Sequence, residues 1–213
     1  MRLQIQTIVS MPFAENTYVA WHEGRADCVV VDPGTEPEAI LAFLREQGLT
    51  PAAILNTHGH ADHIAGNADL KAAYPEAPLV IGAGDAALLT DPVLNVSRSY
   101  GFDIISPPAD QLVREGDTIL FAGLTLDIRE IPGHSPGHIV FVVRDGGVVF
   151  GGDVLFRGSI GRTDSPGCSF ETLATGIRTK LYTMPDETVV YPGHGPVTKV
   201  GYEKRTNPFV AAE

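Results

Sequence analysis

The 213-residue chain is 44% hydrophobic and 19% charged, long enough to bury a core and far from the composition of disordered segments. Fifteen Lys and Arg against 26 Asp and Glu leave a formal charge of −11, which opposes binding to nucleic acid or an anionic membrane, where a positive face must replace counterions. The two cysteines, Cys28 and Cys168, have no CxxC spacing, MRLQIQTIVS alternates where a signal peptide would be continuously apolar, and no run approaches about 18 apolar residues, so a cytoplasmic location is expected.

Leu3 and Ile5 between glutamines, then NTYVAW and CVVVD, predict three strands in an opening antiparallel ladder. Thr35 stands three residues before Glu38 in capping-box spacing, Ile40, Phe43 and Leu44 form an apolar stripe, and Gly48 closes the predicted helix. AAILN reads as a short strand, THGHADH follows it directly, and HIAGNADLKAAY continues with helical spacing. Residues 90–117, with Pro92, Pro107 and Pro108, read as a long irregular excursion. TILFAG, LTLDIREI, HIVFVV and GVVFGGD predict further strands, Phe170, Leu173, Ile177 and Leu181 mark one face of a helix, and TVVYPG is a last strand ending at His194. No linker, repeat or low-complexity segment interrupts this order. The expectation is one α/β domain over residues 1–213, with a mixed sheet or two sheets.

Five of the seven histidines fall just after a predicted strand or in a Gly/Pro-rich turn: His58, His60, His63, His134 in PGHSPGH and His194 in YPGHG. Asp153 in VVFGGDVLF is also at a strand end. Loops leaving different strands at one edge can bring these groups together, which is where ligands collect in layered α/β folds. In an extended turn positions 58 and 60 project to the same side and can share one metal, while Asp62 and His63 lie past the turn and address a second position. A carboxylate has two oxygens and can bridge two cations, a role that suits Asp153, and imidazole is the commonest protein metal ligand. His22 reads as a surface residue, and His138 as either a supporting donor or a polar residue at a strand start.

THGHADH with His134, Asp153 and His194 resembles the metallo-β-lactamase fold superfamily, and VVDPG, PGHSPGH and GDVLFRGSIGRTDSPG are similar to its glyoxalase II branch, the hydroxyacylglutathione hydrolases, in short form. The resemblance runs over nearly the whole chain. It implies a four-layer αββα sandwich of two mixed sheets holding two divalent ions at their edge, zinc by default with iron or manganese as alternatives. It further implies that His58, His60 and His134 hold one ion and Asp62, His63 and His194 the other, with Asp153 bridging. Asp32 in VVDPG resembles the aspartate that hydrogen-bonds the ligand loop from behind. Asp62 and Asp153 are the expected catalytic carboxylates.

The activity this resemblance implies is thioester hydrolysis by a hydroxide shared between the ions, cleaving an S-(2-hydroxyacyl)glutathione into a hydroxy acid and glutathione. A thiolate leaves without protonation, which agrees with the lack of an evident general acid beside the motifs. Arg157, Arg162, Lys199, Lys204 and Arg205 are the candidate cations for an anionic small-molecule substrate. The chain stops 19 residues after His194, without the C-terminal helical domain expected of full-length glyoxalase II. Two rival readings remain: a persulfide dioxygenase with one iron on His58, His134 and Asp153, and a non-catalytic metal-binding scaffold of the same fold. Oligomeric state is not legible.

Overall fold

The protein is described here by a computed structural model, which covers residues 2–165 and 167–211. Strands β1 (Leu3–Ser10), β2 (Glu15–His22) and β3 (Asp27–Val31) form the expected antiparallel ladder. β4 (Thr50–Asn56), β5 (Leu79–Gly82) and β6 (Gln111–Val113) extend it in parallel, giving a six-stranded sheet in the order β1-β2-β3-β4-β5-β6. The second sheet opens with β7 (Thr118–Phe121), β8 (Leu124–Glu130), β9 (Ile139–Val143) and β10 (Val148–Gly152), all antiparallel neighbours. After a small hairpin of β11 (Leu155–Phe156) and β12 (Ser159–Ile160), β13 (Val189–Pro192) pairs in parallel with β10, and β14 (Thr198–Lys199) finishes the order β14-β13-β10-β9-β8-β7.

Period-two alternation sorts each strand between two cores. Val29, Val31 and Leu55 from the first sheet meet Leu126, Phe141 and Phe150 from the second in the central layer. The alternate residues Val30, Ile54 and Ile81 pack outward on α1 (Pro37–Gln47), α2 (Ala61–Ile64) and α3 (Asn67–Ala73) through Ile40, Leu44, Ile64 and Leu70. Val140, Val142 and Val149 do the same toward α4 (Phe170–Gly176), the π-helical turn Ile177–Leu181 that continues it, and α5 (Val200–Thr206), against Leu173, Ile177 and Val200. The result is the four-layer αββα sandwich, with each fully buried aliphatic or aromatic side chain contributing about 1.5–3 kcal/mol of transfer free energy.

Several local expectations change. Thr35 does not cap α1: its Oγ1 donates to the Met11 carbonyl at 2.5 Å, the cap position is Glu36 without a side-chain bond, and Pro37 occupies the first turn, where its missing N–H costs nothing. The helical stretch after the histidine cluster is two short helices, because Gly66 docks by its N–H on the Pro33 carbonyl (2.8 Å), and a Cβ there would sit 2.8 Å from the Gly34 carbonyl. Five strands lay outside the sequence reading, β5, the β6 segment of the supposed irregular excursion, the β11–β12 hairpin and β14, as did α5 at the end of the chain. Phe170 is exposed, so the buried face of its helix begins at Leu173.

Candidate metal centre

β4 ends at Asn56, and the turn that follows carries His58 and His60 before α2 presents Asp62 and His63 from its first residues. His134 comes from the β8–β9 loop, Asp153 from the residue after β10, and His194 from the turn after β13. All seven side chains converge at one edge of the sandwich. Ligand atoms of His58, His60 and His134 lie within 4.8 Å of one another, as do those of Asp62, His63 and His194. Asp153 stands between the two groups, its Oδ1 3.4 Å from His63 Nε2 and its Oδ2 3.4 Å from His134 Nε2 and 3.6 Å from His194 Nε2.

Hydrogen bonds behind the rings decide which nitrogen faces the centre. His134 Nδ1 donates to the Arg162 carbonyl (2.8 Å), His194 Nδ1 to the Phe13 carbonyl (3.1 Å), and His63 Nδ1 to Asp32 Oδ2 (3.1 Å). His58 Nδ1 pairs with Thr57 Oγ1 at 3.1 Å, whose own proton goes to Asp32 Oδ2 at 2.7 Å. Four rings therefore turn Nε2 inward, while His60 presents Nδ1, 2.9 Å from His134 Nε2. Asp32 also accepts the Thr57 N–H at 2.7 Å, so this one carboxylate orients His63 and the turn leading to His58. His138 lies behind the site: its Nε2 accepts the Asp153 N–H at 3.0 Å and its ring stacks on His58 at 4.6 Å.

The electrostatics of the two groups differ. Burial pushes His58 and His60 well below the usual histidine range, reinforced by the neighbouring rings. Burial opposes protonation of His63 and His194 too, but the carboxylates of Asp62 and Asp153 outweigh it and raise both. Burial alone would raise Asp62 and Asp153; His63 chiefly holds both carboxyls down. His58 Nε2, His63 Nε2 and Asp153 Oδ1 are buried and have no hydrogen-bond partner among the described residues. Unpaired buried polar atoms cost about 1–3 kcal/mol each, and these converge with only nitrogen and oxygen donors. That donor set fits divalent cations.

Three supports carried no local signal in the sequence. Asp85 is fully buried on the 3₁₀ turn after β5, where its carboxylate accepts from Gly59 N–H (3.0 Å), Ser135 Oγ (2.6 Å) and Gly137 N–H (2.5 Å), tying the His58–His60 turn to the His134 loop. Asn16 and Tyr18 on β2 bond the Pro192 carbonyl at 3.0 and 2.6 Å and so fix the approach to His194. Gly193 must lack a side chain, since a Cβ would sit 2.2 Å from Asp153 Oδ1 and 2.6 Å from His63 Cε1. Each depends on residues far apart in the chain.

A cavity of about 250 Å³ opens over the centre, reaching His60, Asp62, His134, Asp153 and His194. Arg162 lines it, with Nη2 3.4 Å from the Tyr100 hydroxyl. The other four candidate cations are placed elsewhere. Arg157 lies over the Tyr202 ring at 5.4 Å and shares a separate groove with Lys199, which pairs with Glu187 at 2.7 Å; Lys204 and Arg205 both pair with Asp186. Cys28 is buried in β3, and Cys168 Sγ donates to the His134 carbonyl at 2.9 Å. No helix among the described residues is long and apolar enough to cross a membrane.

Residues 11–194, the span that contains all seven converging side chains, match the metallo-beta-lactamase superfamily. The chain belongs to that superfamily. It is 41% identical over 201 residues to the probable metallo-hydrolase YqgX of Bacillus subtilis, covering 93% of each chain. It is 34% identical over 211 residues to the hydroxyacylglutathione hydrolase GloC of Haemophilus influenzae, covering 98% of each. Among solved structures, BLEG-1 B3 metallo-beta-lactamase superposes with a TM-score of 0.93 at 36% identity, covering 97% of this chain and 99% of that one. TTHA1623 in a di-iron-bound form gives 0.85 at 40% identity, covering 96% and 99%. Membership in this superfamily, together with the two ligand clusters, implies divalent metal ions and the chemistry of a metallo-hydrolase.

Proposed function

We propose that the protein is a binuclear metallo-hydrolase that cleaves thioesters, with an S-(2-hydroxyacyl)glutathione as the substrate class. The observation that carries this reading is the position of Asp153, whose two oxygens address His63 on one side and His134 on the other. In it, His58, His60 and His134 would hold one cation and Asp62, His63 and His194 the other, with Asp153 available to both. Divalent ions held there supply Lewis-acid activation of a water and of a carbonyl oxygen. Zinc suits the donors, and iron and manganese also accept them; the di-iron relative makes iron a direct alternative. The second group, Asp62, His63 and His194, has no role in a single-iron site on His58, His134 and Asp153, which favours the hydrolase over the dioxygenase reading.

The chain's own part is orientation. Asp32, Thr57 and the carbonyls of Phe13 and Arg162 hold the imidazoles so that their lone pairs face inward before substrate arrives. Water adds to the acyl carbon, the acyl–sulfur bond breaks, and the sulfur leaves as thiolate. Apart from the converging carboxylates and histidines, the titratable side chains lining the cavity among the described residues are Tyr100, whose hydroxyl faces Arg162 Nη2 at 3.4 Å, and Arg162, which stays protonated. A thiolate needs no proton donor to leave, and this supports a thioester over an amide. Arg162 is placed to receive a substrate carboxylate. The test is turnover of S-lactoylglutathione by metal-loaded protein, followed by thiol release; absence of thiol at micromolar enzyme overturns the assignment. The likeness to a B3 metallo-beta-lactamase favours lactam opening as a second reading, checked in the same assay with a chromogenic cephalosporin.

A further inference from the structure

The wall facing the metal ligands is apolar, and it presents more aromatic surface than a small hydroxyacyl group covers. It is built from residues 96–104, with Val96, Tyr100, Phe102 and Ile104 lining the cavity, and from Phe13 and Phe156 on either side. Tyr100 and Phe102 are 50% and 56% exposed, so the fold leaves two aromatic rings in water at the mouth of the site. Phe13 meets Tyr100 edge to face at 5.4 Å, and Phe156 stands 6.1 Å from His194, which makes the aromatic surface continuous with the ligand cluster.

This wall is held in place. The Asn95 carbonyl accepts the N–H of Ala61, the first residue of the helix that carries Asp62 and His63, at 3.0 Å. Asn95 Nδ2 bonds the Ile104 carbonyl (2.8 Å), Phe102 N–H bonds the Ser97 carbonyl (3.1 Å), and Ile104 N–H bonds Ser97 Oγ (3.2 Å). Val96 sits at φ +72°, a conformation a β-branched residue rarely adopts, and such strain concentrates where a ligand is clamped. Arg162 is the one lysine or arginine among the described lining residues, so the cavity serves at most one anionic group by charge.

Resting on the thioesterase reading, we infer that the acyl group of the substrate is bulky and apolar, an aromatic or branched 2-hydroxyacyl group that covers Tyr100 and Phe102. Glutathione, with two carboxylates, an ammonium and two peptide groups, is the wrong chemistry for that wall. A lactoyl methyl group is too small to cover it.

The test compares S-mandeloylglutathione with S-lactoylglutathione, which differ only by phenyl for methyl, each rate divided by that thioester's own hydroxide-catalysed rate. The expected result is a kcat/KM ratio of roughly tenfold or more in favour of mandeloyl, since even one methylene in an apolar pocket is worth about 10–200-fold. Phe102→Ala should collapse that ratio toward unity and Phe102→Leu should leave an intermediate one, with unchanged melting temperatures reporting intact folding. A wild-type ratio at or below one, or a ratio that survives Phe102→Ala, overturns the inference while leaving the thioesterase reading in place. Failure of the metal-loaded protein to cleave either thioester overturns both.

Discussion

The two halves of the candidate metal centre are built differently. His58, His60 and His134 form a group of three imidazoles, two of them kept neutral by burial, so a cation bound there displaces no net proton from those two. Asp62, His63 and His194 mix charges: the carboxylate is held low, the histidines are held high, and without a cation the space between them favours protons. The supports differ as well. Asp85 fastens the first half through backbone N–H groups flanking the ligands, whereas Asp32 reaches the His63 ring directly. The lesson is that the first half is a ready receptor and the second exchanges protons for its cation.

The strongest way to break this comparison is to remove what the halves share. Asp153→Ala should lower kcat for thioester hydrolysis by about four orders of magnitude, the scale seen when one member of a catalytic unit is lost, with an unchanged circular dichroism spectrum. Near-normal turnover in a folded variant would remove Asp153 from the bridging role.

A paired experiment sharpens the comparison. Asp85→Ala should weaken cation binding at the three-histidine group by about 10–100-fold and leave the other group nearly unchanged, whereas Asp32→Ala should weaken both, since its carboxylate bonds His63 and, through Thr57, supports His58. Cobalt(II) absorption titrations would read each affinity. An equal loss at both groups in Asp85→Ala would contradict a support confined to the three-histidine group.

What could be read from the sequence follows the same division between local and distant causes. HxHxDH packs four converging side chains into six consecutive residues, and His134, Asp153 and His194 each sit in a Gly-rich strand end, so spacing alone singled them out. Asp85 sits in GAGDAALL, an ordinary turn by composition, and matters only because β5 delivers it against Gly59 and Gly137. β5 itself is four residues long, too short for a period, and is a strand because β4 and β6 flank it in parallel. The Thr35 capping pattern was locally sound and lost to a tertiary bond with Met11. Charge was legible as residue type but not as placement, which is why Lys204 and Arg205 end beside Asp186 and only Arg162 of the five cations faces the cavity.

A smaller effect is expected from pH. Because His63 and His194 are raised, they hold protons to higher pH than a free imidazole in the cation-free chain, and a cation must displace them; lowering pH therefore weakens binding there by up to about tenfold per pH unit for each proton displaced. His58 and His60 are depressed and already neutral, so binding at their group should change little over the same interval. Calorimetric titration at several pH values would show one steep and one shallow affinity; two parallel slopes would contradict the difference. The smallest effect belongs to Arg162→Gln, which should raise KM for a glutathione thioester about two- to fivefold with kcat nearly unchanged, since an exposed ion pair is worth only about 0.2–1 kcal/mol.

The most direct test is a back-titration of chelator-stripped protein with zinc or iron(II), following bound metal and S-lactoylglutathione hydrolysis in the same samples. The account predicts no turnover without metal, and activity that reaches its plateau as the second equivalent binds. Full activity in folded, metal-free protein, or a plateau at one equivalent with no second binding event, would contradict it.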